Sequence, residues 1–175
     1  MKKLLIFVGV IVAFYLYCIV SNEMELRAMA TVEGRQEVIA GKYENAVITS
    51  EKEVEGYIIS AFETRDEHGY VVFVPIAEGK YQYQTKSSIR EKENLIHGLL
   101  DIPEGGSYEF YVCGDENIEY LDVTILDTYT GELLQQEQIS LEDSCIAVLK
   151  RDPVVWAWQT EVIGYDAEGN AYTLG

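Results

Sequence analysis

Residues 70–85 read YVVFVPIAEGKYQYQT, and they decide the fold class. Tyr70–Ile76 is a β-branched and aromatic run, the composition that suits a pleated, half-buried surface. Glu78-Gly79 then turns the chain, because glycine takes the backbone angles a tight hairpin demands. Tyr81–Thr85 alternates apolar and polar residues strictly, the period of a strand with one wet face. Pro75 cannot donate to a ladder, so Tyr70–Ile76 is expected at a sheet edge or a bulge.

The same grammar repeats downstream. Ser107–Cys113 (SYEFYVC) alternates between Gly105-Gly106 and Gly114-Asp115. Ile118–Leu126, Leu133–Ser140, Cys145–Leu149, Val154–Ile163 and Ala171–Leu174 follow, separated by Asp- and Gly-containing turns. Upstream, Asp66–Gly69 reads as a turn after a strand from Ile58. Ser50-Glu51-Lys52-Glu53 matches a helix capping box and predicts a short helical turn. Residues 86–99 read as a loop or a helical turn. Eight or nine short strands without intervening long helices predict an all-β fold, an antiparallel β-sandwich of immunoglobulin-like size.

The N-terminus is different. Leu4–Val20 (LLIFVGVIVAFYLYCIV) is 17 residues without a charge, Asn, Gln or Pro. As a helix it spans roughly 25 Å, the short end of what crosses a bilayer core. Lys2 and Lys3 precede it, which keeps that end in the cytoplasm and sends the rest across. Tyr15 and Tyr17 suit an interfacial belt. The sequence therefore predicts a single N-terminal transmembrane helix. It divides the chain into an anchor (1–21), a juxtamembrane stalk (22–49) and an acidic β-rich extracytoplasmic domain (50–175). Ala28-Met29-Ala30 offers a small-x-small cleavage site, which would instead yield a secreted domain. Bulky Tyr17 opposes lipidation at Cys18.

Thirteen Lys and Arg stand against 30 Asp and Glu, a net charge of −17. The first thirty residues are net positive by one, which leaves −18 on residues 31–175. A surface so acidic repels phosphates, so a nucleic-acid partner is excluded.

The sequence carries no nucleophile elbow, Walker loop or zincin motif, so neither an enzyme nor a cofactor is expected. Its two histidines, His68 in a turn and His97 in a loop, lack metal-ligand spacing. Asp166-x-Glu168-Gly169-Asn170 has the oxygen spacing of a partial calcium loop, but Asp-x-x-Gly is also ordinary turn chemistry. No metal is assigned.

Cys113 and Cys145 would close about a 30-residue loop as a disulfide, or pack as separate buried thiols. Trp156 and Trp158 share one strand face, as do Tyr81 and Tyr83. These four are the candidate binding residues if they face solvent, and core residues if they do not.

The expected function is a membrane-anchored, extracytoplasmic binding module. It would recognise a protein or cell-envelope component, with strand addition at Tyr70–Ile76 or the C-terminal strand as one mode. A structural or accessory subunit of a membrane assembly is the second reading. An envelope glycan hydrolase with paired carboxylates is the third.

Overall fold

The computed structural model describes residues 2–91, 95–141, 144–151 and 157–173, with side chains for 10–84, 95–141, 144–151 and 157–172. Among these described residues two helices, α1 (Lys2–Ala28) and α2 (Val32–Ala40), precede eleven strands. These are β1 (Val47–Val54), β2 (Tyr57–Glu63), β3 (Glu67–Ala77), β4 (Lys80–Glu91), β5 (Leu95–Ile102) and β6 (Gly106–Cys113). Then come β7 (Tyr120–Asp127), β8 (Leu133–Ser140), β9 (Ile146–Lys150), β10 (Trp158–Tyr165) and β11 (Ala171–Thr173). The fold is all-β, and every strand pair among the described residues is antiparallel.

The strands form three sheets. The first is the meander β1-β2-β3-β4, the middle one is β5-β6-β9, and the third is β11-β10-β7-β8. Three apolar clusters show how they stack. Ile59, Ala61, Tyr70 and Val72 of the first sheet meet Ile96, Phe110 and Val112 of the middle one. The other face of the middle sheet, with Tyr111, Cys113 and Leu149, meets Leu121, Val123 and Ile125 of the third. Met29, Ile39 and Ala46, from the helical segment, close the outer face of the first sheet over Phe62 and Phe73.

Strand β6 is consequently buried on both faces from Tyr108 to Cys113. Its alternation predicts one wet face, yet the stack covers the polar side as well. Packing there is close. A Cβ on Gly98 of β5 would lie 2.1 Å from the ring tip of Phe110, so only glycine lets the two strands pair at that register.

Several expectations are revised. Ser50–Glu53 lies inside β1 rather than in a helical turn, because Glu51 is drawn into pairs with Arg35 and Ser60 that outweigh a local capping signal. The turn after β2 falls at Thr64–Asp66, closed by Thr64 N–H donating to the Glu67 carbonyl at 2.8 Å, so His68 and Gly69 belong to β3. Residues 86–91 and 95–99 are strand, not loop. Of the two expectations for Tyr70–Ile76, the edge fails, because β3 lies between β2 and β4, and the bulge holds, with the register shifting between Pro75 and Ala77.

The segment expected to be a stalk contributes core. Thr31 caps α2, accepting from Gly34 N–H at 3.1 Å, and Ile39 is fully buried. Gly34 and β-branched Val32 and Ile39 obscure this nine-residue helix in the sequence.

Among the described residues, no helix is long and apolar enough to cross a membrane. The first six residues of Leu4–Val20 lie outside the described side chains.

Candidate functional site

Among the described residues, Glu109, at the centre of β6, is a wholly buried carboxylate. It faces the third sheet. One carboxylate oxygen, Oε2, accepts from the Tyr111 hydroxyl at 2.6 Å and from Thr160 Oγ1, on β10, at 3.1 Å. His97 Nε2, reaching from β5, lies 3.3 Å from the same oxygen, and Arg151 Nε lies 3.4 Å from Oε1. His97 also stacks on Tyr111 with centroids 5.1 Å apart, and Arg151 lies 3.3 Å over the ring of Trp158.

Burial disfavours the Glu109 charge, but hydrogen bonds from His97 and Tyr111, with Thr160 and the nearby imidazole, more than offset it. Its pKa is held below the ordinary glutamate value. Burial and the adjacent carboxylate push the Tyr111 phenol far up. A carboxylate kept ionised and enclosed by donors is a poor general acid, because catalysis by a paired-carboxylate mechanism requires one member with a raised pKa. The arrangement joins two sheets through a charge. His97 is its most exposed member.

A second feature is a cavity of about 310 Å³ at the far end of β6. Its walls include Ser50, Glu63, His68, Cys113, Ser144 and Cys145. The Ser50 and Ser144 hydroxyls are 2.7 Å apart. Burial raises the Cys113 thiol to about 11 and raises Cys145 as well, so both are thiols rather than thiolates at neutral pH. The two residues are cross-strand neighbours: Cys113 N–H donates to the Cys145 carbonyl at 2.9 Å. Their side chains diverge. Cys113 packs in the cluster facing the third sheet and Cys145 against the cluster facing the first, and neither is bridged. No group of three or more metal-ligating side chains is assembled among the described residues.

The remaining candidates are scattered. Trp158 is half-buried against the third-sheet core. Tyr81 and Tyr83 are half-buried on the first sheet beneath the helices, with Lys42 Nζ 3.8 Å over the Tyr83 ring. Trp156 lies outside the described residues. No single aromatic strip unites Trp158 with Tyr81 and Tyr83, which lie on different sheets. In the Asp166 turn, the carboxylate accepts from the Glu168 and Asn170 N–H groups, the Asn170 amide and the Tyr172 hydroxyl, all within 3.0 Å. Those bonds serve the turn.

Glu109, His97 and Arg151 are absent from the candidates the sequence offers. One signal was present: an acid between Tyr108 and Phe110, in mid-strand. No family model, curated protein or solved structure matches this chain.

Proposed function

We propose that the protein is a membrane-tethered binding module whose β-domain stands on the outer face of the cytoplasmic membrane. The observation that carries this reading is the surface of α1. Every residue from Val10 to Val20 is exposed, including Val10 (62%), Phe14 (68%), Tyr17 (69%) and Val20 (56%). Among the described residues nothing covers them. A soluble monomer rarely exposes so large a continuous apolar patch, whereas lipid would bury it on all sides. The uncharged run Leu4–Val20 and the preceding Lys2 and Lys3 supply the length and orientation.

Recognition is assigned to the outer face of the third sheet. The helices close the first sheet, and the middle sheet is covered on both faces at β6, although β5 leaves His97, Leu99 and Asp101 exposed. The third sheet's outer face carries the stacked pair Tyr120 and Tyr165, with centroids 4.9 Å apart, beside half-exposed Ile163, while half-exposed Leu134 lies on β8 near the opposite end of the sheet, next to Leu133, which pairs with Leu126. Its edge strand β8 has mostly exposed side chains and suits strand addition. A protein or envelope partner fits this surface.

The test is fractionation of cells carrying the full chain with a C-terminal tag. Retention in membranes through alkaline carbonate, with the tag digested by protease added outside, supports the reading. Recovery of the intact chain in the soluble fraction overturns it. Cross-linking of wild type against Ile163→Glu and Leu134→Glu then tests the face, because capture that survives both changes places recognition elsewhere.

A further inference from the structure

We infer that the β3–β4 hairpin tip, Ala77–Lys80, rests in the lipid headgroup layer, so that the domain stands on the membrane in one fixed orientation. The inference rests on the anchored reading of α1 and adds to it an interaction surface and a partner, the phospholipid headgroups.

Helix α1 continues without a break from Lys2 to Ala28, so the segment beyond Val20 is a rigid extension of any anchor rather than a loose linker. That extension is fastened to the domain. Glu23 Oε1 lies 2.6 Å from Lys80 Nζ and 3.1 Å from Arg27 Nε. Leu26 packs against the cluster that contains Phe62 and Phe73, and Met29 is buried within it. The junction with α2 is tight, since a Cβ on Gly34 would lie 2.0 Å from the Ala28 carbonyl oxygen.

Distances then fix the tip. Glu23 is three residues past Val20, about 4.5 Å further along the helix axis. The headgroup region is roughly 5–7 Å thick on each side of the hydrocarbon core. Lys80, in contact with Glu23, therefore falls within it.

Helix and strand run in the same sense from this point. Met24 and Ala28 share a cavity wall with Tyr83, three residues beyond Lys80. The hairpin tip is thus the membrane-facing end of the first sheet, and the Thr64–Asp66 turn is the distal end. Strand β3 has 11 residues and separates the two by about 33 Å. The tip also presents an apolar side chain to that boundary: Ile76 is 48% exposed, while the Lys80 ammonium is paired with Glu23 at 2.6 Å and stands beside the acidic Glu78.

The experiment places photoreactive benzoylphenylalanine singly at Phe14, Glu78 or Asp66 of the full chain, in vesicles of phosphatidylcholine and phosphatidylglycerol. Lipid adducts are read by mass spectrometry. Adducts at 14 and 78 and none at 66 are expected. An adduct at 14 without one at 78, or equal adducts at 78 and 66, overturns the fixed orientation while leaving the anchor in place. No adduct at 14 overturns the anchor itself. The variant Lys80→Glu, which sets two carboxylates against each other, should lose the contrast between 78 and 66 while retaining the adduct at 14. Contrast unchanged in that variant removes the Glu23–Lys80 contact from the argument, and the fixed orientation falls with it.

Discussion

Arg35 on α2 grips Glu51 on β1 with two parallel hydrogen bonds, Nε to Oε1 at 2.8 Å and Nη2 to Oε2 at 2.6 Å. Arg35 is 5% exposed, donates a third bond to the Met29 carbonyl at 2.9 Å and lies over the Phe73 ring. Bidentate geometry of this kind is specific to arginine. The pair holds the helical segment to the first sheet.

Removing Arg35 leaves the half-buried Glu51 charge with Ser60 alone as a partner. Arg35→Ala is expected to cost about 3 to 5 kcal/mol, and Arg35→Lys to recover only part of it because an ammonium lacks the planar fork. Urea denaturation followed by tryptophan fluorescence measures both. A cost for Arg35→Ala no larger than that of an exposed substitution would mean that the pair does not hold the segment.

Acid should weaken the fold through two carboxylates. Burial opposes the charge on Glu51, but bonds from Arg35 and Ser60 outweigh it, so its pKa, like that of Glu109, lies below 4.5 in the folded state. The unfolded chain then binds protons more readily than the native one. The stabilisation is complete above the unfolded value and is lost as pH falls through the folded values. Urea midpoints measured from neutral pH downward should drop below about pH 4.5. Glu109→Gln should flatten that drop while lowering the neutral-pH midpoint, and a curve of unchanged steepness would rule out Glu109 as a contributor.

Gly98 and Phe110 make a steric prediction. Gly98→Ala drives a Cβ into the Phe110 ring, which is 1% exposed and edge-on to Tyr70 at 4.8 Å. Overpacking of this sort costs about 1 to 3 kcal/mol. The double change Gly98→Ala with Phe110→Leu should be less destabilised than the sum of the two single changes. Strict additivity in thermal melts would show that the two sites do not touch.

The thiols make a kinetic one. With its pKa near 11, Cys113 is thiolate in roughly one molecule in ten thousand at pH 7. A water-soluble disulfide reagent should modify native Cys113 and Cys145 far more slowly than the same residues in urea, with Cys113, 6% exposed, the slower of the two. Rapid stoichiometric modification of the native protein would contradict the packing described for both.

What the sequence conveyed was local. The hairpin at Glu78-Gly79 is where its residues place it, with Gly79 at φ 65°, and Gly131 and Gly169 hold the same left-handed region in their turns. The strand periods of 107–113 and 118–126 survive with shifts of one or two residues at their ends. What it did not convey was tertiary. Nothing in SYEFYVC distinguishes a strand covered on one face from one covered on both, because Glu109 is accommodated by His97, Arg151 and Thr160 from other elements. Ser50–Glu53 carries a genuine helix-start pattern, and Arg35, 16 residues away from Glu51, overrides it. Trp158 was legible as a strand aromatic that either faces solvent or packs in the core, and its arginine partner was not.

The strand orders also imply a sequence of events as the chain emerges. The first sheet is built from neighbours in the chain and can be complete once residue 91 is available. The middle sheet waits for β9, and the third waits for β10 to pair with β7. Between those moments the β5–β6 hairpin can bury one face on the first sheet, while the face carrying Glu109, Tyr111 and Cys113 is without its cover. Pairings across such separations are slow to form, and unpaired strand edges left waiting invite aggregation. The half-made chain from residue 95 to about residue 150 is therefore the intermediate most in need of a chaperone.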